Sequence, residues 1–173
     1  MDIWYIIIAF TIAGLIVFAT AYFILKTFMR NEQKQRETDI RAQTLQTTSP
    51  IKIQAYERLV LFLERINPES LLVRVQSPHM NTAQLHSDLL TTIRAEFEHN
   101  LSQQIYVSAH TWNAIKQTKE HIIKIINSEA SHIDSQRPAS DLSQAILHTI
   151  MNLEQNPITI TIDILKIEAG NFI

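Results

Sequence analysis

Residues Ile3 to Leu25 form a run of 23 residues without one charged side chain. At about 1.5 Å of rise per residue, a helix of that length exceeds the roughly 30 Å hydrocarbon core of a bilayer. Polar atoms inside it are limited to Thr11 and Thr20, whose hydroxyls can bond back to a helix carbonyl. Trp4, Tyr5 and Tyr22 fall near its two ends, where aromatic rings favour the headgroup zone. The rival reading is a cleaved signal peptide, since "ATA" at 19–21 resembles a cleavage site. Against it, Met1-Asp2 carries no Lys or Arg, the apolar run continues through Tyr22–Leu25, and Lys26 and Arg30 then follow as after a stop-transfer helix. The sequence therefore predicts a membrane anchor over 3–25.

Charge sets the expected orientation. Lys26, Arg30, Lys34, Arg36 and Arg41 follow the run, and no basic residue precedes it. The basic flank stays cytoplasmic, which places the N-terminus outside and everything after Leu25 inside. Lys26 and Arg30, with Trp4, Tyr5 and Tyr22, are the expected membrane-interface residues. Ala9 and Ala13 make a small-x-x-x-small pair that leaves a second copy open as a partner.

Beyond the anchor, composition points to helices. The chain holds only 2 Gly and 5 Pro in 173 residues, whereas sheets and tight hairpins usually need more Gly. It has no Cys, which excludes disulfides and thiolate chemistry. A formal net charge of -2 without a block of like charge lacks the electrostatic footprint of a nucleic-acid binder. The expected fold class is all-α: one N-terminal transmembrane helix plus a soluble helical bundle. The expected divisions are the anchor at 1–29, a polar juxtamembrane helix and linker at 30–50, and a cytoplasmic helical domain at 51–173. The linker is placed at about 43–50, because Thr and Ser compete for backbone hydrogen bonds and Pro50 disfavours helix in the residue before it.

On a helix, Ile53, Tyr56, Leu59, Val60, Phe62, Leu63 and Ile66 share one half. Glu57, Arg58, Glu64 and Arg65 share the other, with Leu61 alone among them. One apolar side chain ringed by charge is the anatomy of a modest interface, so these five are the candidate interaction residues. The competing reading is a wet helix face with one ordinary exposed Leu.

Asn67-Pro68-Glu69 carries the signals of a helix start. "SLLVRV" fits a short helix or a strand, and helix is adopted. Asn81 or Thr82 caps a helix with Leu85, Leu89, Leu90, Ile93, Phe97 and Leu101 inward. Ser108 caps another, with Trp112, Ile115, Ile122, Ile123 and Ile126 inward. "SHIDSQRPASD" reads as a loop, and Leu142, Ile146, Ile150 and Leu153 mark a further helix. The tail, "PITITIDILKIEAGNFI", alternates like a strand, but a lone strand has no partner. The helical alternative starts at Pro157 with Ile158, Ile162 and Leu165 on one stripe, and it is the one adopted.

The stretches "QAYERLVLFLERINPESLL" and "IRAEFEHNLSQQIYVSAHTW", after an N-terminal membrane helix, carry a resemblance. Over roughly residues 1–130 the chain resembles an uncharacterised family of small, singly anchored helical proteins of Bacteroidetes-type bacteria. The resemblance implies a bacterial inner-membrane location and brings no activity, ligand or site residue with it.

Chemical motifs are few. His99, His110, His121 and His132 recur every 11 residues, which separates neighbours on one helix by about 16 Å, too far for one zinc. Glu96-x-x-His99 and Glu129-x-x-His132 match half of a di-iron bundle motif, but both His fall well off the apolar stripe. No Gly-rich phosphate loop or nucleophile elbow is present. No catalytic, cofactor or metal residue is assigned. The reading that follows is a membrane-tethered interaction or assembly module with an unknown protein partner. Its alternatives are a helical metalloenzyme with a carboxylate–His site and a stator-like peripheral stalk. Pro50, Pro68, Pro78 and Pro138 argue against one long stalk.

Overall fold

The structure, a computed structural model, describes the backbone of residues 3–170 and all their side chains except those of 5, 6, 9, 31 and 33–49. Tyr5, Ala9 and the basic side chains at 34, 36 and 41 therefore lie outside the described residues. Every regular element among the described residues is helical. They are α1 (Ile3–Ile66), α2 (Pro68–Val75), α3 (Thr82–Asn100), a 3-10 turn (Leu101–Ile105), α4 (Ala109–Ser131), α5 (Ala139–Met151) and α6 (Pro157–Gly170). The chain divides into two compact units, Met1–Thr48 and Ser49–Ile173.

In the first unit, Phe10–Arg30 is long and apolar enough to cross a membrane. Its side chains are not covered: Phe10, Leu15, Ile16, Val17 and Phe18 are between 59% and 75% exposed. Thr11 and Thr20 satisfy their hydroxyls on the carbonyls of Ile8 and of Ile16 and Val17, at 2.8 to 2.9 Å. At the basic end, Lys26 Nζ lies 5.7 Å from the centre of the Tyr22 ring, so these two interface candidates meet. Trp4 and Arg30 are exposed.

The expected linker at 43–50 is a correction. The backbone stays helical there, with Pro50 inside α1. Proline removes one hydrogen bond and crowds one carbonyl, but it does not unwind a helix continued on both sides. The division between the two units still falls beside it, at Thr48 and Ser49.

The second unit is built around one apolar core. Leu59, Phe62, Leu63 and Ile66 of α1 meet Leu71 of α2 and Leu85, Leu89 and Ile93 of α3. Ile115, Ile122 and Ile126 of α4, Leu142 and Ile146 of α5, and Ile158 and Leu165 of α6 complete it. Phe97 bridges Phe62 and Trp112 at ring separations of 5.8 and 5.5 Å, while Lys119 Nζ sits 4.2 Å over its ring. Phe97 itself is half-buried.

The caps are those the sequence signals. The side chain of Asn67 accepts from Glu69 N ahead of Pro68. Asn81, rather than Thr82, caps α3, in a reciprocal box with Gln84. The loop before α5 is tied to the start of α3 by Thr82 N to Arg137 O at 2.8 Å and Ala139 N to Met80 O at 3.0 Å. The tail from Pro157 to Gly170 and "SLLVRV" are both helices. Two inward assignments fail. Leu101 begins the 3-10 turn, whose tighter winding carries it off the stripe and into solvent. Ile53 is exposed, at the edge of a groove.

Candidate functional site: the Glu168 cluster and the groove beside it

Glu168, near the end of α6, reaches the start of α4. Its carboxylate accepts from the amide of Ser108 at 2.7 Å, from the Ser108 hydroxyl at 2.6 Å and from the Thr111 hydroxyl. It also accepts from the hydroxyl of Tyr56, on α1, at 3.0 Å. The local reason is helix capping. Ser108 is the N-cap of α4, and its hydroxyl accepts from Thr111 N at 3.2 Å. A capping box would place Glu or Gln three residues on, to reach back to the cap's own N–H. Here that position is Thr111, and α6 supplies the carboxylate instead. The positive end of the α4 dipole favours the same charge.

Electrostatics follow from these contacts. Partial burial pushes the Glu168 carboxyl up, but the hydrogen bonds from Ser108, Thr111 and Tyr56 outweigh it, and the net shift is below the ordinary Glu value. Tyr56 moves the other way. Burial, then donation to Glu168, then the nearby negative charge all hold its phenol protonated well above the usual range. The cluster is a fixed anion with its donors already aligned, which is the chemistry of a tie between helices. Each hydroxyl donates to a carboxylate whose own affinity for a proton is lowered, so Glu168 is a weak base toward them.

Beside this cluster lies an open groove of about 460 Å³ between α1 and α6. Ile53, Tyr56, Val60 and Leu61 line one wall, and Leu165 and Ala169 the other. Glu57 stands on the α1 side and Lys166 on the α6 side.

The structure divides the five candidate interaction residues. Leu61 is 60% exposed and, with Glu57, faces the groove. Arg65 lines no part of the groove; its guanidinium bonds both oxygens of Glu96 on α3 at 3.1 Å, and Arg74 approaches the same carboxylate at 3.6 Å. Arg58 and Glu64 are exposed and line no part of the groove. The metal motifs are drawn elsewhere: Glu96 is engaged by those arginines, Glu129 accepts from Thr149 at 2.9 Å, and His99, His110, His121 and His132 are exposed. No cluster of three or more potential metal ligands occurs among the described residues. The Glu168 cluster and the α6 wall of the groove were missed by sequence reasoning. Their advance signal is an acid three residues past Leu165, on the continuation of the Ile158, Ile162 and Leu165 stripe.

Comparison with known proteins places this helical fold in a class without an assigned activity. The chain belongs to a family of unknown function, DUF7935, whose family model matches residues 2–172. That span includes the Ile/Thr-rich tail, beyond the stretch that carried the resemblance. No curated protein and no solved structure matches the chain.

Proposed function

We propose that this chain is a single-pass inner-membrane protein of a Bacteroidetes-type bacterium and works as a membrane-tethered interaction module without catalytic activity. Its N-terminus lies outside, and the helical unit faces the cytoplasm. The apolar span Phe10–Arg30 and the basic residues that follow it support the anchoring and its direction. The mechanism is confinement: one anchor holds the unit in two dimensions and raises its effective concentration toward anything it binds there.

The observation that carries this reading is the α1–α6 groove. An exposed Leu61 beside an apolar cleft, rimmed by one acid and one base, has the anatomy of a contact surface. The test uses chemical cross-linking of the full chain in native membranes, followed by mass spectrometry. Leu61→Asp is expected to reduce recovered adducts while leaving the melting temperature nearly unchanged. Adducts unaffected by the substitution would remove the groove from consideration.

A further inference from the structure

We infer that the occupant of the α1–α6 groove is the same groove of a second copy of this chain. The inference rests on the interaction-module reading and names its partner. Its first support is charge. Glu57 and Lys166 stand on opposite walls, yet they make no ion pair with each other. Glu57 makes no ion pair among the described residues, and Lys166 reaches only the exposed Asp163 of its own helix, at 3.3 Å. In a two-fold contact, residue i of one copy meets residue j of the other and the reverse holds at once. One acid and one base on opposite walls satisfy that condition: each Glu57 faces the Lys166 of the other copy. A foreign partner would need to carry the complementary pair independently.

The second support is shape and polarity. Leu61 projects from the rim at 60% exposure, and the groove beside it offers Ile53, Val60, Leu165 and Ala169 as its apolar lining. One surface thus carries both a projecting apolar side chain and a cleft to receive one. Two copies brought face to face exchange Leu61 side chains, and the four rim charges stay at the wet edge. There they select the register more than they add affinity. Confinement to a membrane supplies the concentration that so small a contact requires.

The experiment uses the full chain in its native membrane, and it benefits from the absence of cysteine. Two differently tagged copies are expressed together, one with Glu57→Cys and the other with Lys166→Cys. Mild oxidation should join them into a dimer carrying both tags. A control pair with Lys116→Cys, on α4 and outside the groove, should remain unjoined. In parallel, dimer is quantified for charge variants of the otherwise native chain. Glu57→Lys or Lys166→Glu alone should weaken dimerisation by about tenfold, from two lost pairs replaced by repulsions. The double variant should restore it. Leu61→Asp should abolish it without changing the circular dichroism or thermal melt of the chain.

A dimer that persists in Leu61→Asp is held elsewhere, by the anchor for instance, and overturns the inference. Loss in both single charge variants without recovery in the double overturns it also. A chain that is monomeric in its membrane, yet loses adducts to a different protein on Leu61→Asp, overturns the second copy and leaves the interaction module standing. Loss of neither dimer nor adducts removes both.

Discussion

Thr118 of α4 and Thr161 of α6 share a buried hydrogen bond of 2.7 Å, two turns along both helices from the contact of Thr111 with Glu168. The two helices therefore run antiparallel, and polar pairs mark both ends of their seam. Thr161 also donates to the carbonyl of Pro157 at 2.9 Å, so the seam carries no orphaned hydroxyl. Removing both partners should cost less than the two single removals added together. Thr161→Val is expected to destabilise the unit from residue 49 onward by about 1 kcal/mol, the net worth of one hydrogen bond, because Thr118 keeps the Pro157 carbonyl at 3.4 Å as an acceptor. Thr118→Val with Thr161→Val should cost less than the sum of the two single changes. Urea melts of the three variants measure this, and strict additivity would refute coupling.

Glu168 gives the protein an acid limb and Tyr56 an alkaline one. Because the Glu168 carboxyl is depressed in the fold, its stabilisation is present above the ordinary Glu value and lost as pH falls through the depressed one. Tyr56 is raised, so its contribution is full below the ordinary Tyr value and lost as pH rises through the folded one. Glu168→Gln should flatten the stability profile below about pH 5, within the range where carboxylates titrate. Tyr56→Phe should flatten it above about pH 10, the phenol range. Thermal melts across pH check both limbs.

Phe97 is half-buried but meets two aromatic rings and a lysine. Phe97→Ala is expected to cost about 3 kcal/mol, the low end for aromatic truncation, because part of the ring is already wet. His110→Ala, on the exposed face of α4, should cost under about 0.5 kcal/mol. Comparable losses at the two positions would be incompatible with the packing described.

The proposed topology is tested without mutation. Lys116 and Lys166 are both exposed on the helical unit. Trypsin added to intact spheroplasts should leave that unit whole, and lysis should expose it to cleavage. Digestion from outside would reverse the orientation.

The sequence disclosed what depends on neighbours along one helix. Leu59, Phe62, Leu63 and Ile66 were placed inward by spacing alone, and they are buried. Asn67, Asn81 or its neighbour, and Ser108 were readable as caps because capping is a local act. The Ile/Thr tail was ambiguous because alternation and a helical stripe coexist in it. Packing against α4 decided it, with Thr161 turned inward to Thr118. Long-range partners left no comparable trace. The wheel put Arg65 in the wet half but could not show Glu96 waiting 31 residues away. Capping logic looked three residues past Ser108, while the carboxylate comes from 60 residues on. Leu61 was legible as an exposed residue; the cleft it borders needed α6.

The scarcity of glycine has a mechanical consequence. Among the described residues, no backbone position has a positive φ, and α3, α4 and α5 end in right-handed conformations at Leu101, His132 and Asn152. An added Cβ would meet nothing at either Gly14 or Gly170. None of these junctions requires the one residue whose freedom a folding chain must give up most. Turns of this kind accept ordinary side chains, so sequence can drift at the corners of the bundle while its angles hold. Variation within the family should therefore concentrate at these corners, and replacing Gly170 with Ala should stiffen the end of α6 with no steric cost.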